Sequence, residues 1–130
     1  SKPARCFLGI QPGHRHFRDL QESSQIHAIE GVIIYRFSSN LFFANVQILQ
    51  RDIEDNIKDD TKAVIIDASA IGSIDITAAD RLAILYKNLK EKEIKFYITE
   101  HIADLNEQMR KLGIGYLVEA GCARRTIHIA

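Results

Sequence analysis

Residues 62–67 read KAVIID, an apolar run that is rich in β-branched side chains and too short for a helix. Such a run is typical of a strand that is buried on both faces, so it predicts a central strand of a parallel sheet. Apolar residues with helical spacing follow over 79–89, and residues 95–99 predict the next strand. A strand, a helix and a second strand in this order indicate a parallel crossover.

Two further amphipathic helices and a hairpin flank this unit. The first helix is expected to begin near Ala44 or Asn45, and the last is expected to end before Gly113. Residues 25–29 and 32–37 are short β-branched runs separated by a Glu-Gly break, which predicts an antiparallel hairpin. The apolar faces of the two helices are Val46, Leu49, Ile53 and Ile57 in the first, and Ile102, Leu105, Met109 and Leu112 in the last.

The chain has the length of one domain, and its pattern is that of the α/β class. Its 130 residues leave no room for a second core, and the order of elements predicts a mixed sheet with parallel crossovers. Residues 1–24 show little periodicity and are expected to form an arm that lies on a domain of residues 25–130. Residues 126–130 are expected to begin a terminal helix that the end of the chain truncates.

Composition narrows the function classes. Seventeen basic residues balance seventeen acidic ones, so no overall field favours nucleic acid. The apolar runs are far shorter than the roughly 20 residues that cross a bilayer. The two cysteines lie at opposite ends of the chain, which favours a reducing compartment.

Common catalytic and cofactor signatures are absent from the sequence. It has no phosphate-binding glycine loop, no nucleophile elbow and no paired cysteine motif, which disfavours an enzyme. A small hydrolase would need a base beside Ser69 or Ser73, and no histidine partner is identifiable. His14 and His16 are expected to be solvated rather than to bind metal. Lys2, Arg5, Arg15 and Arg18 make the arm locally basic, and this too is interpreted as a solvated surface.

The polar segment 67–80 lies between the buried strand and the next helix, where sites in open α/β sheets usually lie. Asp75 and Thr77 are both placed to cap that helix, and Thr77 with Asp80 has the spacing of a capping box. Capping by itself explains these side chains in one interpretation; in the other, the segment is a functional site. The Leu-Phe-Phe run at 41–43 is expected to be buried beneath the first helix, with an exposed interaction surface as the alternative.

Three separated motifs resemble a known family. Asp67 and the run 74–78, Ile-Asp-Ile-Thr-Ala, resemble the signature of the STAS domain, which is named from sulfate transporters and anti-sigma factor antagonists. Residues 8–13 with 17–19, and residues 31–37 with 41–45, resemble the cytoplasmic end of sulfate-permease-type anion transporters.

The resemblance implies a small sheet with helices packed mainly on one side, carried after the last membrane helix of a transporter. It implies a non-catalytic regulatory and interaction domain at the cytoplasmic face of the inner (cell) membrane, supporting transporter assembly and activity. The implied partners are its own transmembrane domain, a soluble regulatory protein and a second copy within a homodimer of the full-length transporter. No cofactor and no nucleic acid is implied, although weak nucleotide binding is proposed for some members.

The resemblance also implies where the site lies. The interaction loop, which is also the expected nucleotide contact, comprises Asp67, Ile71, Gly72, Ser73, Ile74, Asp75, Thr77 and Asp80. Ile76 stands where antagonist members carry a phosphorylatable serine, so Thr77 is the remaining regulatory phosphosite. The alternative function is a free-standing anti-sigma factor antagonist that phosphorylation controls.

Overall fold

The computed structural model describes residues 2–118, which form five strands, three α-helices and a final 3₁₀ turn. In chain order these are β1 (Ala4–Gly9), β2 (Arg18–Asp19), β3 (Val32–Ser38), α1 (Val46–Glu54), β4 (Ala63–Asp67), α2 (Ile76–Glu91), β5 (Lys95–Thr99), α3 (Ala103–Lys111) and the turn Gly115–Val118. No helix within residues 2–118 is both long enough and apolar enough to cross a bilayer. The predicted helix at 126–130 lies outside the described residues.

The strands form one mixed sheet in the order β2-β1-β3-β4-β5. β3, β4 and β5 run parallel, whereas β1 is antiparallel to both of its neighbours. Every residue of β4 is buried, because the strand lies between two others and its side chains are covered on both faces. The predicted central parallel strand and the predicted α/β class are therefore confirmed.

All three helices contribute to one core on the same face of the sheet. The inward side chains of α1, α2 and α3 join alternate residues of β3, β4 and β5 in a single buried cluster. The other face carries a smaller cluster of Leu8, Ile34 and Ile65, against which Phe17 and Ile29 pack from irregular segments. The helices thus lie mainly on one side, as predicted.

The predicted hairpin of residues 25–29 with 32–37 is wrong. Residues 25–29 form no strand, and His27 makes only an isolated bridge with Ile10. The antiparallel neighbour of β3 is β1, which pairs from Ala4 opposite Ser38 to Leu8 opposite Ile34. The pairing of β1 with β3 is stabilised by the Phe7 ring, which packs on Tyr35 with ring centroids 5.1 Å apart.

Residues 1–24, expected to form an arm that lies on the domain, contribute β1 and β2 to the sheet itself. The predicted end of the last helix is confirmed. Gly113 has a positive φ of 83°, its N–H bonds to the Arg110 carbonyl, and Ile114 N–H bonds to the Met109 carbonyl. This is the Schellman arrangement that favours glycine at the end of a helix.

Candidate functional site

The carboxyl ends of β3, β4 and β5 lie at one edge of the sheet, because these strands are parallel. The loops that follow β3 and β4, residues 39–45 and 68–75, run side by side at this edge. Leu41 N–H donates to the Ser73 carbonyl at 2.9 Å, and Asp75 N–H donates to the Leu41 carbonyl at 3.0 Å. We call these two loops, with the first turn of α2, the carboxyl-edge surface.

Side-chain amides hold the carboxyl-edge surface in place. Asn45 is buried; its Oδ1 accepts from Phe42 N–H at 3.0 Å and its Nδ2 donates to the Asn40 carbonyl at 2.6 Å. Asn40 Oδ1 accepts from Gly72 N–H at 3.1 Å, which ties the first loop to the second. These contacts leave the loops little freedom to rearrange.

Gln108 of α3 clamps the second loop from its other side. Its Oε1 accepts from Ile74 N–H at 3.0 Å and its Nε2 donates to the Gly72 carbonyl at 3.2 Å. Sequence reasoning missed Gln108, because a single amide in an amphipathic helix carries no signal for a contact with a loop 34 residues earlier. Asn45 did carry a signal, since it ends one of the transporter-like motifs.

Asp75 caps α2, as predicted. It has extended backbone angles (φ −93°, ψ 173°), and its Oδ1 accepts from Ala78 N–H at 2.8 Å. Its Oδ2 lies 3.4 Å from Phe43 N and accepts from that N–H, so one carboxylate joins the helix start to the neighbouring loop. The predicted capping role of Thr77 is wrong: Asp75 already occupies the cap, and Thr77 is the exposed second residue of the helix.

Asp67 lies away from the rest of the predicted loop. It is buried on the sheet face opposite the helices, where its Oδ2 is 3.0 Å from both Nε and a terminal nitrogen of Arg36. Its Oδ1 accepts from Ser69 N–H at 2.9 Å. The side chains of Ile71 and Ile74 are in the core, so they support the loop from below. The predicted site residues that reach the surface are Gly72, Ser73, Asp75, Thr77 and Asp80.

The expected burial of residues 41–43 holds only for Leu41. Phe42 and Phe43 are 39% and 66% exposed. The reason is geometric: α1 begins only at Val46, and the turn before it takes Leu41 inward and leaves the next two side chains outside. Ile76, the first residue of α2, is 64% exposed.

Two of the four basic side chains of the arm, those of Arg5 and Arg18, form ion pairs. Arg5 Nε lies 2.5 Å from Asp52 Oδ2, and Arg18 lies 3.0 Å from Glu22 Oε2. Burial, followed by the nearby Asp19 charge, raises the pKa of the half-buried Cys6 thiol and so disfavours the reactive thiolate. Residues 2–118 hold no group of three or more histidine, cysteine or acidic side chains that could bind a metal ion.

Replacing Asp75 with alanine is expected to lower the free energy of unfolding by about 1 kcal/mol, because the cap of α2 is lost. Chemical denaturation of the 130-residue chain, followed by far-ultraviolet circular dichroism, measures the change. Asp80→Ala is the matched control: Asp80 is exposed one turn further along α2, so its removal should change stability by less than about 0.5 kcal/mol. Equal losses in both variants would contradict the capping role.

A mixed sheet with helices mainly on one face and loops joined at its carboxyl edge makes this chain a small single domain of the α/β class. The chain belongs to the STAS domain family, whose model matches residues 23–125. It is 30% identical over 122 residues to a probable sulfate transporter 3.5 of Arabidopsis thaliana, a match that covers 92% of this chain and 19% of that protein. It is 28% identical over 111 residues to a probable sulfate transporter of Mycobacterium tuberculosis, covering 83% of this chain and 20% of that one. The chain thus spans about a fifth of the length of these relatives.

Solved structures show the same fold. The structure of SLC26A9 matches 96% of this chain and 23% of its own, with a TM-score of 0.84 and 14% identity. The sulfate transporter family protein from Wolinella succinogenes matches 86% of this chain and 94% of its own, with a TM-score of 0.69 and 18% identity. At these identities the likeness establishes the fold alone, and it agrees with the predicted single domain of mixed sheet and one-sided helices.

Proposed function

We propose that this chain is the regulatory and interaction domain of a sulfate-permease-type anion transporter and supports the assembly and activity of that transporter. The observation that carries the proposal is the match of 92% of the chain to a fifth of a probable sulfate transporter. In this proposal the domain lies at the cytoplasmic face of the cell membrane, and its first partner is its own transmembrane domain. A soluble regulatory protein and a homodimer of the full-length transporter belong to the same proposal.

The direction of β1 supports a contact between the carboxyl-edge surface and the preceding part of such a transporter. Ala4 pairs with Ser38, the last residue of β3, so β1 begins at the edge where β3, β4 and β5 end. A polypeptide that precedes Ser1 therefore reaches the domain beside loops 39–45 and 68–75. The surface is also rigid, because Asn45, Asp75 and Gln108 tie its backbone together. A rigid surface next to the covalent link is suited to transmit movement between the two parts.

Non-catalytic action without a cofactor is part of the proposal. Weak nucleotide binding would place a phosphate at the start of α2, where backbone N–H groups attract anions. The Asp75 carboxylate already takes the Ala78 N–H there, and Asp80 is exposed one turn further on. Both charges oppose a phosphate, so we expect weak binding and no turnover. A cleft of about 360 Å³ lies at the opposite end of the sheet from this helix start, and its lining includes Val32, Lys58 and Thr61.

The antagonist alternative has less support. Ile76 is the exposed first residue of α2 and has no hydroxyl to phosphorylate. Thr77 is exposed and stays our predicted phosphosite, but a phosphate there would lie beside Asp75 and Asp80, which repel its added charge.

The test is transport by the full-length protein with altered charge on the carboxyl-edge surface. Asp75→Asn retains an oxygen to cap α2 but removes the charge, and Thr77→Lys adds a positive charge beside Asp75 and Asp80. We expect each variant to lower anion uptake by at least about threefold at equal surface expression, if the contact depends on charge complementarity. Asn88→Lys is the control, because Asn88 is an exposed residue of the same helix more than two turns away. Uptake unchanged in both loop variants would remove this surface from the proposal.

A further inference from the structure

A cleft of about 360 Å³ lies at the amino end of β3, where β1 and β3 part. Leu8 is the last residue of β1 that pairs with β3, opposite Ile34. Two residues further on, Ile10 bonds to His27 instead, with N···O distances of 2.9 and 2.8 Å. β1 therefore turns away before it reaches Val32, and the segment that leads from α1 to β4 lines the space that remains. We call this space the amino-end cleft.

Much of the wall of the amino-end cleft is apolar and only partly covered. Contact between such side chains and water is unfavourable, so a ligand with an apolar body is stabilised by covering them. The volume is also within the range of roughly 300 to 1,000 Å³ that is usual for small-molecule sites. The half-buried apolar side chains of the wall are Phe7, Leu20, Ile29, Val32 and Ile33.

The polar groups of the amino-end cleft carry both signs of charge. One turn of the chain supplies the ammonium of Lys58, the carboxylate of Asp60 and the hydroxyl of Thr61. Glu30, which precedes β3, adds a second carboxylate. No ion pair within residues 2–118 uses Lys58, Asp60 or Glu30. These charges are therefore available to a ligand.

The turn that carries three of these groups is held by its own hydrogen bonds. Thr61 N–H donates to the Lys58 carbonyl at 3.1 Å, and Lys58 N–H donates to Thr61 Oγ1 at 2.9 Å. Because Thr61 Oγ1 accepts this bond, the proton of its hydroxyl is left for a ligand. The turn is also tied to the start of β3, since Lys62 N–H donates to the Gly31 carbonyl at 2.7 Å. The two polar walls of the cleft thus have fixed positions.

We infer that the amino-end cleft binds a free α-amino acid with an aliphatic side chain. Such a ligand carries an ammonium and a carboxylate on one carbon atom, which matches a cleft that offers groups of both signs. Its ammonium pairs with Glu30 and Asp60, and its carboxylate accepts from Lys58 and Thr61. Its side chain covers the half-buried apolar wall. A ligand with a single charge would leave the opposite group of the cleft unpaired or would be repelled by the like one.

This inference goes beyond the proposed function and does not depend on it. The amino-end cleft and the carboxyl-edge surface lie at opposite ends of the parallel strands, so a partner on that surface leaves the cleft open. A ligand in the cleft contacts both the start of β3 and the segment before β4. Because it binds only the folded chain, it is also expected to raise the temperature of unfolding.

Titration of the nitrogen-15-labelled 130-residue chain with L-leucine, followed by two-dimensional NMR, tests the inference. We expect saturable shift changes centred on residues 28–34 and 56–61, with a Kd of about 1 mM or tighter. The comparison compounds are 4-methylpentanoate, which lacks the ammonium, 3-methylbutylamine, which lacks the carboxylate, and L-serine, which lacks the aliphatic chain. Each should bind at least about tenfold more weakly.

The titrations overturn the inference in three ways. L-leucine that shows no saturable binding up to about 20 mM would remove the site. Shift changes centred on other residues would place the ligand elsewhere. A comparison compound that binds as tightly as L-leucine would contradict the recognition of an aliphatic amino acid.

Charge-removing variants test the side chains of the cleft. Lys58→Gln, and Glu30→Gln with Asp60→Asn, are each expected to weaken L-leucine binding by at least about tenfold. Lys87→Gln is the matched control, because Lys87 is exposed on α2 and does not line the cleft. Thermal unfolding of each variant without ligand checks that the fold is intact. Unchanged affinity in both cleft variants, or an equal loss in Lys87→Gln, would contradict the inference.

Discussion

Replacing Arg36 with leucine is expected to lower the free energy of unfolding by about 3 kcal/mol, because a buried carboxylate loses its counter-charge. The side chain of Asp67 is only 8% exposed, whereas that of Arg36 is 37% exposed. The pair is therefore asymmetric. Without Arg36, the Asp67 carboxylate keeps only the Ser69 N–H as a donor and is too buried to be fully hydrated. Without Asp67, the Arg36 guanidinium can turn towards solvent, so Asp67→Ala should cost only about 1 kcal/mol.

A double variant distinguishes an unpaired charge from a loss of packing. Arg36→Leu with Asp67→Ala should be more stable than Arg36→Leu by itself, because the stranded carboxylate is gone. Urea denaturation followed by far-ultraviolet circular dichroism is suitable, since the chain has no tryptophan. If the double variant is as unstable as Arg36→Leu, the loss in Arg36→Leu comes from packing and not from an unpaired Asp67 charge. A confirmed result would assign Asp67 to the stability of the sheet and not to partner contact.

Tyr35→Phe is expected to lower the free energy of unfolding by about 2 kcal/mol at neutral pH, and this difference should shrink above pH 10. The Tyr35 hydroxyl is buried and donates to Asp52 Oδ2 at 2.6 Å. Burial, and then the hydrogen bond to Asp52, raise the pKa of Tyr35 above its usual value of about 10. The unfolded chain therefore loses this proton first. The stabilisation is complete below about pH 10 and is lost as pH rises, by about 1.4 kcal/mol per pH unit.

The measurement is urea denaturation of both proteins at pH 7, 9, 10 and 11. Other groups also titrate in this range, so the informative quantity is the difference in unfolding free energy between wild type and variant. Tyr116→Phe is the control, because Tyr116 is 46% exposed and its hydroxyl does not reach the Asp52 carboxylate. A wild-type minus Tyr35→Phe difference that stays constant from pH 7 to pH 11 would contradict the role given to this phenol.

The parallel half of the fold was predictable because its signals are local. β4 is a dense β-branched run, β5 combines aromatic and β-branched residues, and α2 and α3 carry apolar stripes with recognisable ends. The antiparallel half was not predictable in this way. β1 and β3 are separated by more than twenty residues, and nothing local specifies that Phe7 should pack on Tyr35 while the nearer residues 25–29 do not pair with β3. Long-range contacts fix the place of β1 instead: the Phe7 ring packs on Tyr35, and Arg5 pairs with Asp52.

The candidate site shows the same division. The cap at Asp75 followed from its position before an amphipathic stretch, which is a local rule. The separation of Asp67 from Asp75 did not follow from a capping rule. It depends on the alternation of side chains along β4, which places Asp67 on the sheet face opposite the helices. The exposure of Phe42 and Phe43 depends on where α1 begins, and a difference of one or two residues between the predicted start and Val46 leaves both aromatic rings outside.

The antiparallel placement of β1 has a mechanical consequence. The strand nearest the start of the chain lies between β2 and β3, and its first paired residue, Ala4, lies opposite Ser38 at the end of β3. A pull on the start of the chain that is resisted at loop 39–45 therefore loads the Ala4–Ser38 pair first and the other four pairs in turn, as in unzipping. A pull that is resisted at the opposite end of the sheet is instead carried in shear by all five pairs together, so the point of resistance decides how firmly β1 holds.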